Sequence, residues 1–218
     1  MLALCSAVLE DDRAAVEQLV KDGVDLNLKG KDGITPLLWV LGTKNKELFD
    51  LLLVAGANPN LQTKRGASVM GYVAAMPNSF FLKTVLKHGG NPNLVDPDTL
   101  DTPLVEAIMH DQFANMEILV EHGADLNYAK PMGHTVMMDA AALNRYDMVH
   151  YLLASGANPA LTTTNGHTIA DRLRKDLQNP NLLRTGKLFK AKAQVIELLE
   201  FKGVDVAELR LLYKTSPQ

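Results

Sequence analysis

The pentapeptide Gly56-Ala57-Asn58-Pro59-Asn60 decides the fold, because close copies of it return along the chain. Two copies stand at 89–93 and 156–160, and looser variants begin at Gly23, Gly123 and Gly203. A second string, built around a hydroxyl residue, follows most of these pentapeptides. Its hydroxyl residues are separated by 33 or 34 positions and are Thr35, Ser68, Thr102, Thr135 and Thr168. A fixed period of this length indicates a chain built from repeated supersecondary units.

Each part of the repeat has a physical reason to start or stop a helix. A Thr or Ser ahead of an apolar run caps a helix, because its side-chain oxygen accepts a backbone N–H of the first turn. Pro36 and Pro103 then fall at the first helical position, where the missing N–H costs nothing. Glycines such as Gly56 and Gly156 end helices in the left-handed conformation that a side chain opposes. The pattern therefore predicts two short helices in each repeat.

Several segments carry the motifs of a known family. Residues 33–38 read Gly-Ile-Thr-Pro-Leu-Leu and residues 101–105 read Asp-Thr-Pro-Leu-Val, which resembles the ankyrin motif Gly-x-Thr-Pro-Leu-His. The helix-ending pattern Leu-Leu-x-x-Gly-Ala is matched at 52–57 and 152–157. The resemblance implies an all-α fold: an ankyrin-repeat solenoid of six helix-turn-helix units with finger loops and a C-terminal capping helix.

The spacing of these motifs also predicts the boundaries of the repeats. One domain over 1–218 is expected, with repeats at about 1–28, 29–61, 62–94, 95–128, 129–161 and 162–204 and a capping tail at 205–218. The last repeat holds an insertion near 178–188, and the capping helix is expected at 206–213. The His of the family motif is replaced by Leu38, Gly71, Val105 and Met138.

Composition excludes several classes of protein. The 22 basic and 25 acidic residues give a net charge of −3, which argues against a dedicated nucleic-acid binder. Cys5 is the single cysteine, so neither an internal disulfide nor a cysteine zinc site is expected. No apolar run is long enough to span a bilayer. The compartment stays open: the bacterial periplasm if this chain is a processed exported form, otherwise the cytoplasm.

The six histidines are the strongest candidates for a metal or catalytic site. His88 and His122 occupy equivalent places in two repeats, and so do His134 and His167. Equivalent residues of stacked repeats lie roughly 10 Å apart, too far to share one metal ion. Structural or solvated roles are therefore expected, with no cofactor, no metal and no enzymatic activity.

A partner-binding surface is predicted instead, on the exposed face of each first helix and on the fingers. The in-phase positions four residues beyond each Thr or Ser are Trp39, Tyr72, Glu106, Asp139 and Arg172. Finger charges add Lys31, Lys64 and Arg65 on the basic side and Asp96 and Asp98 on the acidic side. Trp and Tyr are enriched among binding hot spots, although packing between adjacent repeats would explain the same two residues.

Three functions are compatible with this surface. The chain is similar to the small bacterial ankyrin-repeat proteins that act as immunity proteins of type VI phospholipase effectors, which implies a protein that binds and neutralises a toxin or effector. The alternative is a general adaptor that links two partners, and an enzyme ranks last. In each non-catalytic case the partner is a protein, and the free chain is expected to be a monomer.

Overall fold

A computed structural model describes residues 2–179 and 186–215. Regular structure in these residues is helical, and the β-type pairings found among them are two isolated bridges, Gln62 with Ser68 and Ala129 with Thr135. Contacts within the chain divide it into an N-terminal unit, Met1–Ala124, and a C-terminal unit, Asp125–Gln218. The two units are described separately.

The N-terminal unit contains four pairs of helices. They are α1 (Leu2–Leu9) and α2 (Arg13–Lys21), α3 (Pro36–Thr43) and α4 (Lys46–Val54), α5 (Val69–Ala75) and α6 (Ser79–Lys87), and α7 (Pro103–Met109) and α8 (Phe113–Glu121). The first helices of successive pairs contact one another, α1 with α3, α3 with α5 and α5 with α7. The core lies between the helices of each pair and the next, and includes the fully buried Phe49, Leu52 and Leu82.

The C-terminal unit continues the same pattern with one longer helix. Its helices are α9 (Val136–Ala142), α10 (Tyr146–Ala154), α11 (Ile169–Gln178), α12 (Gly186–Phe201) and α13 (Ala207–Thr215). Helix α12 has 16 residues, whereas the second helix α10 has 9, so part of the predicted insertion is helical. The rest of that insertion, 180–185, lies outside the described residues. Helix α13 packs against α11 and is the predicted capping helix.

The predicted helix starts are confirmed at the level of hydrogen bonds. Each hydroxyl residue is the N-cap of a first helix and accepts a bond from the backbone N–H three residues later. The N···O distances are 3.4 Å for Thr35, 3.1 Å for Ser68, 3.4 Å for Thr102, 3.3 Å for Thr135 and 3.3 Å for Thr168. Local sequence chemistry therefore fixes where the first helices begin.

The Asn-rich turns link one repeat to the next. The Asn60 side chain accepts a bond from the Asn91 N–H at 2.7 Å and donates one to the Gly89 carbonyl at 2.9 Å. Equivalent bonds join Asn27 to Asn58, Asn93 to Gly123 and Asn127 to Asn158. At the equivalent position of the next turn the residue is Ala160, which has no side-chain amide. This series of side-chain bonds therefore ends before the repeat that carries the insertion.

The fingers pack on one another through glycine. Gly66 has a φ of +78°, and a Cβ there would lie 2.5 Å from Pro97 Cδ and in closer contact with the Asp96 carboxylate. Gly23 has the same φ of +78° but nothing within 4 Å of a built Cβ. The two positions separate the effect of backbone conformation from the effect of a close contact.

Gly66→Ala is expected to lower the free energy of unfolding by about 2 kcal/mol, because the methyl group adds a clash to the strain of a positive φ. Gly23→Ala, the matched control, is expected to lose only about 1 kcal/mol. Urea unfolding followed by circular dichroism measures both. Equal losses at the two positions would show that the contact between fingers contributes nothing.

Candidate functional site

An open groove lies between helices α3 and α5 in the N-terminal unit, and we call it the apolar groove. Its volume is about 430 Å³. The residues that line it are Ile34, Leu38, Trp39, Leu41, Gly42, Lys44, Thr63, Tyr72 and Met76. Most of them are apolar and only Lys44 is charged, so the groove suits an apolar side chain of a partner.

Trp39 and Tyr72 reach this groove because of their position in the helix. Each lies four residues, or about one helical turn, after the N-cap of its helix. Trp39 is 39% exposed and Tyr72 is 53% exposed, so both aromatic side chains retain surface that a partner can cover. The structure thus brings together the two aromatic residues that the sequence singled out.

A second groove, which we call the acidic groove, adjoins the first at Tyr72. It lies between α5 and α7 and has a volume of about 260 Å³. Three carboxylates line it, those of Asp96, Asp101 and Glu106. Asp96 also holds the finger turn, since its side chain accepts the Asp98 N–H at 2.8 Å. Asp98 itself is exposed on the finger and does not line the groove.

The predicted basic finger residues lie outside both grooves. Lys31 begins a short 3₁₀ turn, Lys31–Gly33, and its side chain is exposed. The backbone N–H of Lys64 donates to the Asp32 carbonyl at 2.9 Å, which joins neighbouring fingers, while the Lys64 and Arg65 side chains are exposed. These cations can meet a partner at the edge of the surface, but the structure does not gather them with Trp39 and Tyr72.

In the C-terminal unit, the two predicted site residues are engaged by ion pairs. The Lys130 ammonium lies 3.6 Å from an Asp139 carboxylate oxygen, and the Asp139 side chain is 16% exposed. The Arg172 guanidinium lies 3.3 Å from a carboxylate oxygen of the buried Asp176. Both residues therefore contribute to the stability of this unit, and Arg172 also lines a separate groove of about 420 Å³.

That groove brings His134 and His167 together with Arg172 and Lys175. At its edge Asp171 completes a capping box, because its carboxylate accepts the Thr168 N–H at 2.8 Å. This backbone bond, the Thr168 hydroxyl and Arg174 lower the pKa of Asp171 to about 2. In the described part of the chain, no three His, Cys, Asp or Glu residues are arranged to hold a metal ion.

Several residues of the apolar groove were missed by sequence reasoning. They are Leu38, Gly42 and Met76. Gly42 could have been noticed in the sequence. Glycine inside a helix destabilises it relative to alanine, and a helical position does not need the positive φ that would explain a glycine. Asp101, which lines the acidic groove, is by contrast visible in the sequence as a finger carboxylate beside Asp96 and Asp98.

Comparison with family models identifies the class of protein. The model described as "Ankyrin repeats (3 copies)" matches residues 72–163, and the one described as "Ankyrin repeat" matches 32–64. Together they cover more than half of the chain, which therefore belongs to the ankyrin-repeat family. Ankyrin repeats are generally protein–protein interaction modules. In the described ranges, no helix has both the length and the apolar character to cross a membrane.

Solved structures share the fold at low sequence identity. An ankyrin-repeat domain from Acinetobacter baumannii AYE is 22% identical, with a TM-score of 0.77 over 93% of this chain and 98% of that one. The ankyrin-repeat domain of Bcl-3, a member of the IkappaB family, is 22% identical with a TM-score of 0.72 over 94% and 87%. The ankyrin-repeat protein EF0377 is also 22% identical, with a TM-score of 0.73 over 91% and 96%.

A curated relative matches a shorter segment. The protein named "Probable E3 ubiquitin-protein ligase XBOS34", from Oryza sativa subsp. japonica, is 36% identical over 77 residues. The match covers 34% of this chain and 15% of the length of that protein. The match is therefore to a part of each protein, and the ligase name is that of the rice protein.

Proposed function

We propose that this chain is a non-catalytic module that binds and neutralises one partner protein through the apolar and acidic grooves of its N-terminal unit. The observation that carries this proposal is the placement of Trp39 and Tyr72, two half-exposed aromatic side chains in one groove. Interfaces commonly concentrate their binding energy in such aromatic residues, surrounded by contacts that exclude water. When this surface binds the partner, the chain covers part of the partner, and neutralisation follows if that part includes the partner's active site.

The finer form of the proposal is an immunity protein of a secreted bacterial phospholipase effector. It is supported by the resemblance of the sequence to that class of small ankyrin-repeat proteins. The two family matches and the three structural neighbours support the interaction module and not this partner. The experiment below therefore treats the module and the effector as separate questions.

Trp39→Ala and Tyr72→Ala are each expected to weaken partner binding by about 30-fold, equivalent to about 2 kcal/mol for a hot-spot residue. The protein produced from the gene next to that of this chain serves as the partner, and isothermal titration calorimetry gives its affinity. Val54→Ala is the matched control, because Val54 is 68% exposed on α4 and lines neither groove.

Enzyme assays of the same partner test neutralisation. A neutralising protein abolishes partner activity at a one-to-one ratio, and the two aromatic variants relieve that inhibition. Binding without inhibition would reject neutralisation but retain the module. Unchanged affinity in both aromatic variants, with unchanged circular dichroism, would reject the proposed grooves.

The adaptor alternative has one observation in its favour. The C-terminal unit has a groove of its own, lined by the cationic Arg172, Arg174 and Lys175, and its lining differs in charge from that of the acidic groove. An adaptor would use the two units for two partners at once. Light scattering after size-exclusion chromatography separates the cases, since an adaptor gives a ternary complex and a neutralising protein gives a binary one.

A further inference from the structure

The two grooves of the N-terminal unit form one continuous surface with two chemical parts. Tyr72 lines both of them. On one side of Tyr72 the lining is apolar, with Leu38, Trp39 and Met76. On the other side it includes carboxylates, with Glu106 as the one that projects from a helix. A partner that fills both grooves must therefore offer an apolar group next to a polar one.

The charges along this surface indicate the sign of that polar group. Among the described residues that line the acidic groove there is no Lys or Arg, and His110, whose Nδ1 lies 3.5 Å from a Glu106 carboxylate oxygen, is the one side chain that can carry a positive charge. The apolar groove has Lys44 as its charged residue. Complementary charge fixes the register of a partner more than its affinity. A cation of the partner is thus attracted to the Glu106 side and repelled from Lys44.

Two glycines keep the floor of the surface open. Gly42 and Gly71 lie inside helices α3 and α5, and neither has a positive φ. A Cβ at Gly42 would meet nothing within 4 Å, and one at Gly71 would meet only ordinary contacts, at 3.7 Å and 4.0 Å. Glycine inside a helix is less stable than alanine, and packing does not require it here. Space for a closely approaching partner is a reason to have glycine at both positions.

We propose that the occupant of this surface is an extended segment of the partner protein with an apolar side chain in the apolar groove and a Lys or Arg in the acidic groove. Neighbouring helices pack about 8–10 Å apart, and residues two positions apart in an extended chain point to the same face about 7 Å from each other. A long Lys or Arg side chain covers the remaining distance, so the basic residue lies two positions from the apolar one. This inference rests on the proposed function and adds the chemistry of the partner.

Selection from a random 12-residue peptide library displayed on phage tests the proposal with the full chain as bait. Wild-type chain is expected to enrich peptides with a large apolar residue and a Lys or Arg two positions apart. Glu106→Lys is expected to abolish the basic preference, because its ammonium offsets the remaining carboxylates, and to leave the apolar preference in place. Glu121→Lys is the control, because Glu121 is an exposed carboxylate on α8 that lines neither groove.

The Gly42→Ala variant distinguishes a loss of peptide binding from a loss of folding. The variant is expected to unfold at a higher urea concentration than wild type and yet to bind a synthetic copy of the most enriched peptide at least tenfold more weakly by fluorescence anisotropy. A loss of affinity in a more stable chain cannot come from damage to the fold. Unchanged peptide affinity in Gly42→Ala would overturn the role of the open floor.

The outcomes also distinguish this inference from the proposed function. Enriched peptides that depend on Trp39 and Tyr72 but show no basic preference overturn the inference and leave the proposed function standing. Peptides that bind equally well to the Trp39→Ala and Tyr72→Ala variants overturn the inference and leave the proposed function to the partner titration. No enrichment over an unrelated bait also overturns the inference, while the partner titration still decides the proposed function.

Discussion

Asn115→Ala is expected to lower the free energy of unfolding by about 3 kcal/mol, although the residue looks in the sequence like an ordinary polar position. The Asn115 side chain is 1% exposed. Its amide group donates to the carbonyls of Ala74 at 2.9 Å and Met76 at 2.7 Å, and its oxygen accepts from the Ser79 hydroxyl at 2.6 Å. Removing the amide would leave these buried carbonyls without a donor.

Pro77 explains why donors are needed there. At the corner between the two helices of other repeats, a residue with positive φ turns the chain, at Asp11, Lys44, Asp111 and Asn144. The backbone N–H of Lys44, for example, caps the Leu41 carbonyl at 3.1 Å. Pro77 has neither an N–H nor access to positive φ. Helix α5 therefore ends differently, and the Asn115 side chain from the next repeat supplies the missing donors.

Urea unfolding measures this prediction, with Trp39, the single tryptophan, as a fluorescent reporter within the N-terminal unit. Asn78→Ala is the matched control, because Asn78 is exposed in the same corner and its cap on the Phe80 N–H is worth only about 1 kcal/mol. In a double-mutant cycle, Pro77→Asn is expected to reduce the loss caused by Asn115→Ala, since it restores a corner N–H. Additive losses would contradict the pairing of Pro77 with Asn115.

Asp176→Ala is expected to lower the free energy of unfolding by about 3 kcal/mol, because it removes the acceptor of a buried polar cluster. Asp176 on α11 is 6% exposed and accepts the hydroxyl of the fully buried Tyr146 at 2.6 Å. The ammonium of Lys192 on α12 lies 5.0 Å from the centre of the Tyr146 ring. Burial, followed by the bond to Asp176, raises the pKa of Tyr146 above its usual range. The cluster ties α10, α11 and α12 together.

Thermal and urea unfolding followed by circular dichroism at 222 nm give the size of this loss. Tyr146→Phe is expected to lose less, about 1 kcal/mol, because the Asp176 carboxylate keeps the Arg172 guanidinium. Lys175→Ala, an exposed change on the same helix, should stay within about 0.5 kcal/mol of wild type. An Asp176→Ala protein as stable as the Lys175→Ala control would show that the cluster does not hold the helices together.

Several features of the fold could be predicted from the sequence because they depend on neighbours along the chain. The hydroxyl caps, from Thr35 to Thr168, act on an N–H three residues away, so their spacing alone gives the helix starts. Gly56 and Gly156 take the expected positive φ at the helix ends. The period of 33 or 34 residues then gives the family, and each of these predictions is confirmed.

The polar cores could not be predicted in the same way. Asn115 falls at the third position of its helix, where the second helices α4, α6 and α10 have the apolar Leu48, Phe81 and Met148. That mismatch was a usable signal, but its meaning depends on Pro77, which lies 38 positions earlier. Likewise, Asp176 and Tyr146 are 30 residues apart and meet only because their helices pack.

The candidate site, too, could be predicted only in part from the sequence. Counting four residues from each cap selects Trp39, Tyr72 and Glu106 from sequence alone, because helical periodicity puts these positions on one face. The same count also selects Asp139 and Arg172, which ion pairs with Lys130 and Asp176 engage in the C-terminal unit. The sequence by itself thus determined the helices, their order and the residues that face outward, since these follow from local bonds and periodicity. The tertiary structure decided which outward residues share a groove and which are held by a buried partner, because those outcomes depend on distances between residues far apart in the chain.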